Sequence, residues 1–183
     1  MLDVSKMPDH AAHLTTPVGE RDHATGPISA RLVLVEYGDY QCSYCGTAYP
    51  VLKELREAFG EELTFVFRNF PLTSVHEHAQ RAAETAEWAG LAGRFWDMHD
   101  YLYEHQDRLD DGGLRSAAKA LALDPRELQK AWDSHALIPR VKEDFLGGIQ
   151  SGVNGVPRLF INGARYGGPV NVAELTAALE AAH

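Results

Sequence analysis

Cysteine is nearly missing from this chain: Cys42 and Cys45 are the only two in 183 residues. One pair cannot build the several bridges that hold small secreted domains together, and in a reducing compartment a lone pair is more often catalytic, redox-sensing or metal-binding than structural. Long apolar runs are missing too, and no stretch approaches the ~20 apolar residues of a membrane-spanning helix. The first ten residues, Met1 to His10, carry neither an apolar core nor a small-residue cleavage site. That pattern is not a secretory leader, so the expected location is cytoplasmic. Positive charge is in short supply, with 17 Lys and Arg against 26 Asp and Glu for a formal net charge of −9. Nonspecific binding to nucleic acid or to an anionic membrane is therefore not expected. No repeat or low-complexity tract breaks the chain. Its 45% hydrophobic and 23% charged residues are ordinary for a soluble globular protein, and its length suits one domain or one domain with an insertion.

What is present begins with a polar arm, residues 1–27, containing Pro8, Pro17, Gly19, Gly26 and Pro27. Arg31-Leu32-Val33-Leu34-Val35-Glu36 follows, a short aliphatic run stopped by Gly38, which reads as a buried strand. Helical spacing of Ala48, Leu52, Leu55 and Phe59 predicts a helix from about Ser43 to Phe59, kinked at Pro50 and ended by Gly60. Glu62 to Phe67 reads as the second strand. Strand, helix, strand implies a parallel crossover. From Val75 to Gln150 the alanines of 79–89, then Phe95, Met98 and Leu102, then Leu114, Ala117, Ala118 and Leu121 all recur at helical spacing. This segment predicts four or five helices, with breaks near Gly90–Gly93, Asp110–Gly113, Leu123–Asp124 and His135–Pro139. Arg158 to Ile161 and Ala164 to Tyr166 read as strands joined by an Asn162-Gly163 hairpin turn, and Asn171 with Glu174 starts a last helix.

The chemistry gathers at Cys42-Ser43-Tyr44-Cys45, where the first strand hands over to the helix. The thiolate is the nucleophile of thiol–disulfide exchange. A cysteine at a helix N-terminus faces unpaired backbone N–H groups and the positive end of the helix dipole, which favours the thiolate of Cys42. Cys45, three residues further on, can attack a mixed disulfide held on Cys42. Cys42 is thus the candidate nucleophile and Cys45 the candidate resolving thiol. Tyr37, Tyr40 and Tyr44 flank them. Tyr37 reads as packing, while Tyr40 and Tyr44 are candidates for an aromatic rim that meets substrate. The nine histidines suggest no metal centre: His76 and His78 do not share a helical face, and His99 to His105 is not a ligand spacing. No metal and no cofactor is called for.

The order of elements resembles the thioredoxin fold, an α/β architecture in which a central mixed sheet is flanked by helices. The Val35-Glu36-Tyr37-Gly38-Asp39-Tyr40 run before Cys42 supports this, as do Phe67-Arg68-Asn69-Phe70-Pro71-Leu72 and Phe95-Trp96-Asp97-Met98-His99. So does Ser151-Gly152-Val153-Asn154-Gly155-Val156-Pro157 leading into Phe160-Ile161-Asn162-Gly163. The helical block in the middle resembles the DsbA-like branch of that superfamily. The expected organisation is an arm at 1–27, a discontinuous thioredoxin-like domain at 28–74 and 151–183, and a helical insertion at 75–150.

The resemblance implies a thiol–disulfide oxidoreductase or isomerase acting on protein or small-molecule thiols and disulfides. It implies a buried carboxylate, Glu36, that takes the resolving thiol's proton. It also implies a cis-proline loop in which Val156 and Pro157 face the substrate. Relatives that oxidise strongly carry a histidine directly before the second cysteine. Tyr44 stands there in this chain, which predicts a less oxidising couple. The alternatives are a non-catalytic redox-sensing or interaction domain, such as those fused to transporters, and a metal-binding module.

Overall fold

The computed structural model of the chain describes residues 13–182. The leader-free reading of Met1 to His10 falls outside them. The central strand is β2 (Leu32–Gly38), whose aliphatic run is buried on both faces of the sheet. Such two-sided burial is what a near-continuous apolar strand requires. α1 (Ser43–Phe59) follows and runs through Pro50. The chain returns as β3 (Leu63–Asn69), which pairs with β2 in parallel, Leu34 opposite Phe65 and Tyr37 opposite Arg68.

Between β3 and the next strand lie α2 (Ala79–Leu91), α3 (Phe95–Glu104), α4 (Asp111–Ala120), α5 (Pro125–Ser134) and α6 (Ile138–Gln150). Asp124 caps α5 by accepting the Arg126 N–H at 2.9 Å, with Pro125 at the first helical position. The break expected near Asp110–Gly113 falls at its first residue, and the two glycines lie inside the helix that follows. The Asp110 side chain accepts the Gly113 N–H at 2.7 Å, and α4 runs through both glycines. The cap offsets the low helix propensity of Gly112 and Gly113.

β4 (Arg158–Ile161) lies antiparallel to β2 on the side away from β3 and turns at Asn162-Gly163 into β5 (Ala164–Arg165). Both turn residues have positive φ, 48° and 82°, as a two-residue type I′ hairpin needs. α7 (Val172–Ala181) closes the chain, with Asn171 as its cap.

The polar arm also supplies a strand. His23–Thr25 forms β1, antiparallel to β3 at the sheet edge, so the order is β1-β3-β2-β4-β5. The arm is held by Arg68, whose guanidinium donates to both Asp22 carboxylate oxygens at 2.7 and 2.9 Å. The same guanidinium reaches the Thr16 and Pro17 carbonyls and the Tyr37 hydroxyl.

Side chains alternate across β2. Leu34 points to one core with α1, α3 and α7, while Val35 and Tyr37 point to a second core with Phe70, Phe145 and Phe160. By the same alternation Glu36 shares the Leu34 face, beneath the start of α1.

Candidate functional site

The site forms where β2 ends. Asp39, fully buried, organises the loop that follows. Its Oδ1 accepts the Gln41 N–H and its Oδ2 accepts the Leu72 N–H, both at 2.8 Å, and His76 Nδ1 lies 2.8 Å from the same Oδ2. Its own carbonyl accepts the Cys42 N–H at 3.1 Å. Cys42 is thereby set at the N-cap of α1, with extended dihedrals of −72° and 122°.

The Cys42 side chain is almost covered, at 4% exposure, and its Sγ lies 3.8 Å from the Val156 carbonyl. A hydrogen bond from the Cys45 thiol, helped by the backbone N–H groups of Cys45 and Tyr44, brings the Cys42 pKa down to about 6 against the opposing effect of burial. Cys42 is therefore mostly thiolate at neutral pH. Cys45 is 0% exposed. Burial first, then its bond to Cys42 and the neighbouring Glu36, push its thiol well above the usual range. One turn of helix thus divides the pair into a charged front sulfur and a neutral rear one.

Glu36 is 1% exposed. Burial lifts its carboxyl to about 8, with Arg56 pulling the other way and the Cys42 charge adding to the rise. Neither Glu36 Oε1 nor the buried Tyr103 hydroxyl has a hydrogen-bond partner among the described residues. Both crowd the backbone of Gly38. A Cβ there would lie 2.5 Å from Phe67 Cε2, 2.9 Å from the Tyr103 hydroxyl and 3.1 Å from Glu36 Oε1, which explains the glycine at the strand end. On the open side, the Val156–Pro157 peptide bond is cis and its loop leads directly into β4.

Of the residues singled out from the sequence, the fold brings Cys42, Cys45, Glu36, Val156 and Pro157 to one place. Tyr44 is 74% exposed beside the thiols. Tyr40 is a correction. Its ring is 1% exposed, set among Phe67, His99 and Tyr103, and its hydroxyl lies 3.1 Å from His99 Nδ1. A buried ring with a satisfied hydroxyl is core packing and offers no rim to a substrate. Tyr37 is buried as expected, against Phe70 and Phe160.

Three residues near the site are given no role there by the sequence alone. His99 is buried among aromatic rings, and burial holds it well below its usual pKa, hence neutral. Asp39 carries a faint signal, an aspartate just past a strand that can bond the backbone two residues on. Gln106, between α3 and α4, carries none, yet its Nε2 donates to the Tyr40 and Cys42 carbonyls at 2.7 and 2.9 Å. Among the described residues no three His, Cys, Asp or Glu side chains gather where they could hold a metal ion.

The chain matches the family described as Thioredoxin over residues 19–181. A protein named Na(+)/H(+) antiporter NhaA 1 from Salinispora arenicola is 42% identical over 170 residues, 92% of this chain and 26% of that protein. One of the same name from Mycobacterium sp. (strain KMS) is 40% identical over 171 residues, 92% and 28% respectively. The chain spans about a quarter of the length of these curated relatives. Among solved structures, oxidised BdbD from Bacillus subtilis superposes with a TM-score of 0.84 at 21% identity, covering 93% of this chain and 97% of that one. A thioredoxin-like oxidoreductase from Silicibacter pomeroyi gives 0.80 at 23%, covering 90% and 93%. Wolbachia pipientis alpha-DsbA1 gives 0.80 at 17%, covering 92% and 93%.

Proposed function

We propose that this chain, which belongs to the thioredoxin superfamily in its DsbA-like form, is a thiol–disulfide oxidoreductase working through Cys42 and Cys45. The observation that carries this reading is the division of the pair. One sulfur is held at a helix N-cap with its pKa lowered to about 6, and the other is buried behind it with its pKa raised.

The reaction runs as follows. The Cys42 thiolate attacks one sulfur of a substrate disulfide. The S–S bond breaks, a new bond joins Cys42 to the substrate, and the other substrate sulfur leaves as thiolate and takes a proton. Cys45 then loses its proton and attacks Cys42 Sγ. The second substrate sulfur departs, the protein pair is oxidised, and the substrate is reduced by two electrons. Each step reverses, so the same residues serve oxidation of a substrate dithiol and, through the mixed disulfide, isomerisation.

Glu36 is the proton acceptor for Cys45. In the resting state its carboxyl, lifted to about 8, is mostly neutral. Part of that lift comes from the Cys42 charge. Once Cys42 is bonded to substrate its charge is gone, one of the contributions that hold Glu36 protonated is removed, and the carboxylate becomes more accessible in the step that needs a base. The Val156 backbone offers an edge to an extended peptide, with Pro157 fixing the loop and exposed Tyr44 beside it. Protein substrates fit this edge, and low-molecular-weight thiols reach the same sulfur. With Tyr44 where stronger oxidants carry histidine, the couple falls toward the reducing part of the ~−270 to −120 mV span of such proteins, in keeping with a cytoplasmic site of action.

The partial match to the antiporters favours a second reading, in which a domain of this kind switches a contact within a transporter when its cysteines oxidise. Insulin reduction with a thiol donor separates the two, since a switch turns over poorly. Trapping tests the roles. Cys45→Ser should accumulate mixed disulfides and Cys42→Ser should not, and the reverse result overturns the assignment.

A further inference from the structure

Gln106 opens a short 3-10 turn, Gln106–Arg108, between α3 and α4. It lies in the helical block, yet its side chain reaches the cysteine loop. Its Nε2 donates to the Tyr40 carbonyl at 2.7 Å and the Cys42 carbonyl at 2.9 Å. Both partners are acceptors, so only the amide NH2 can face them. The two carbonyls bracket the Gln41–Cys42 peptide, at the step where the loop becomes α1. The Cys42 carbonyl also accepts the Gly46 N–H at 3.0 Å, the first backbone bond of that helix. One carboxamide thus ties the loop before Cys42 to the first turn after it.

A second observation fits the same side chain. Gly46 sits in the first turn of α1, where glycine is about 1 kcal/mol worse than alanine. A Cβ at Gly46 would fall on the Gln106 carboxamide, with Oε1 as its nearest atom. The glycine is there because the carboxamide lies flat against the helix backbone. Glycine and glutamine, 60 residues apart in the chain, make one fitting.

We propose that Gln106 is a positioning residue for the nucleophile: it fixes the N-cap geometry in which the Cys42 sulfur meets the N–H groups of Tyr44 and Cys45, so that the helical block tunes thiol reactivity. The inference rests on Cys42 being the nucleophile. Without the clamp the Gln41–Cys42 peptide keeps the Cys42 N–H bond to the Asp39 carbonyl but loses the tie between the carbonyls on either side of it. The N–H groups of the first turn then converge less well on the sulfur, and the thiolate loses part of their stabilisation.

The test is the pH profile of Cys42 alkylation by iodoacetamide between about pH 4 and about pH 8, a window in which a thiol with a raised pKa such as Cys45 stays protonated and silent. Gln106→Met keeps length and removes both donors. It should move the midpoint upward by about half a unit or more. Gly46→Ala, which displaces the carboxamide while adding a helix-favouring residue, should give a similar shift, and it carries the test alone if Gln106→Met does not fold. In the double variant the shifts should not add, because both remove the same interaction. A wild-type midpoint near 6 that neither substitution moves would overturn the proposal and leave the nucleophile in place. A wild-type rate that is still rising steeply at about pH 8, as a free thiol of pKa ~8.5 gives, would overturn the nucleophile assignment itself.

Discussion

Glu36 is the residue at which function and stability pull apart. Its carboxyl titrates near 4.5 when unfolded and near 8 when folded. A raised pKa means that the folded protein prefers the protonated form. The stability this group allows is whole below about pH 4.5 and is lost as pH rises towards 8. At pH 7 the loss amounts to roughly 3 kcal/mol. Glu36→Gln, neutral at every pH, should therefore raise stability to urea by up to that amount at pH 7 and change little at pH 4. The same substitution should slow closure of the Cys42–Cys45 disulfide by about 10²-fold, the contribution of a positioned base. A difference between variant and wild type that is the same at pH 4 and pH 7 would show that folding does not raise the pKa of this carboxyl. Tyr40 shows where residue-level reading stops. An aromatic side chain just before a cysteine pair looks the same in sequence whether it lines a rim or fills a core. What holds it inward is the pocket of Phe67, His99 and Tyr103, with His99 meeting its hydroxyl, all distant in the sequence.

At the scale of elements, the strands made of aliphatic runs and the helices with regular apolar spacing were legible, since burial of a whole face dictates their pattern. β1 was not. His23-Ala24-Thr25 is too short for any periodicity, and it becomes a strand because Arg68 of β3 holds Asp22 just before it. Both side chains of that pair are nearly buried. Arg68→Met leaves the Asp22 carboxylate buried without its guanidinium and should cost roughly 3–5 kcal/mol by urea unfolding. Adding Asp22→Asn should recover part of the loss, because the stranded charge is then gone. Full stability in the single variant would mean that the arm is not anchored through this pair. A second polar cluster joins the block to the sheet. Asn69 at the end of β3 donates to Glu87 of α2 and to Asp144 of α6, and Arg140 pairs with Asp144. Contacts of this kind, like the Gln106 clamp, link single polar residues across long separations and leave no repeating mark in a sequence.

For the molecule as a whole, the oxidation state of two sulfurs enters its stability. The lowered pKa of Cys42 stabilises the reduced folded form. That contribution is full above the unfolded thiol value of ~8.5 and is lost as pH falls through about 6. In a Glu36→Gln background, where this carboxyl no longer titrates, the stability of the reduced protein relative to the oxidised one should decline as pH is lowered from about 8 to about 6. Parallel urea titrations of the two forms measure it, and a difference independent of pH would show that Cys42 holds no stabilised charge.

The two margins of the sheet have a bearing on crowding and self-association. β1 is three residues long and β5 two, and each carries a charged or ionisable side chain, His23 or Arg165. Margins so brief offer little to a stray strand seeking backbone partners, which is how natural sheets avoid stacking into aggregates. The Val156 backbone is different, because it lies in a loop with its carbonyl 3.8 Å from the Cys42 sulfur. Among the described residues a passing unfolded chain thus finds little sheet edge to pair with, and the function proposed above would direct it to the loop beside the sulfurs.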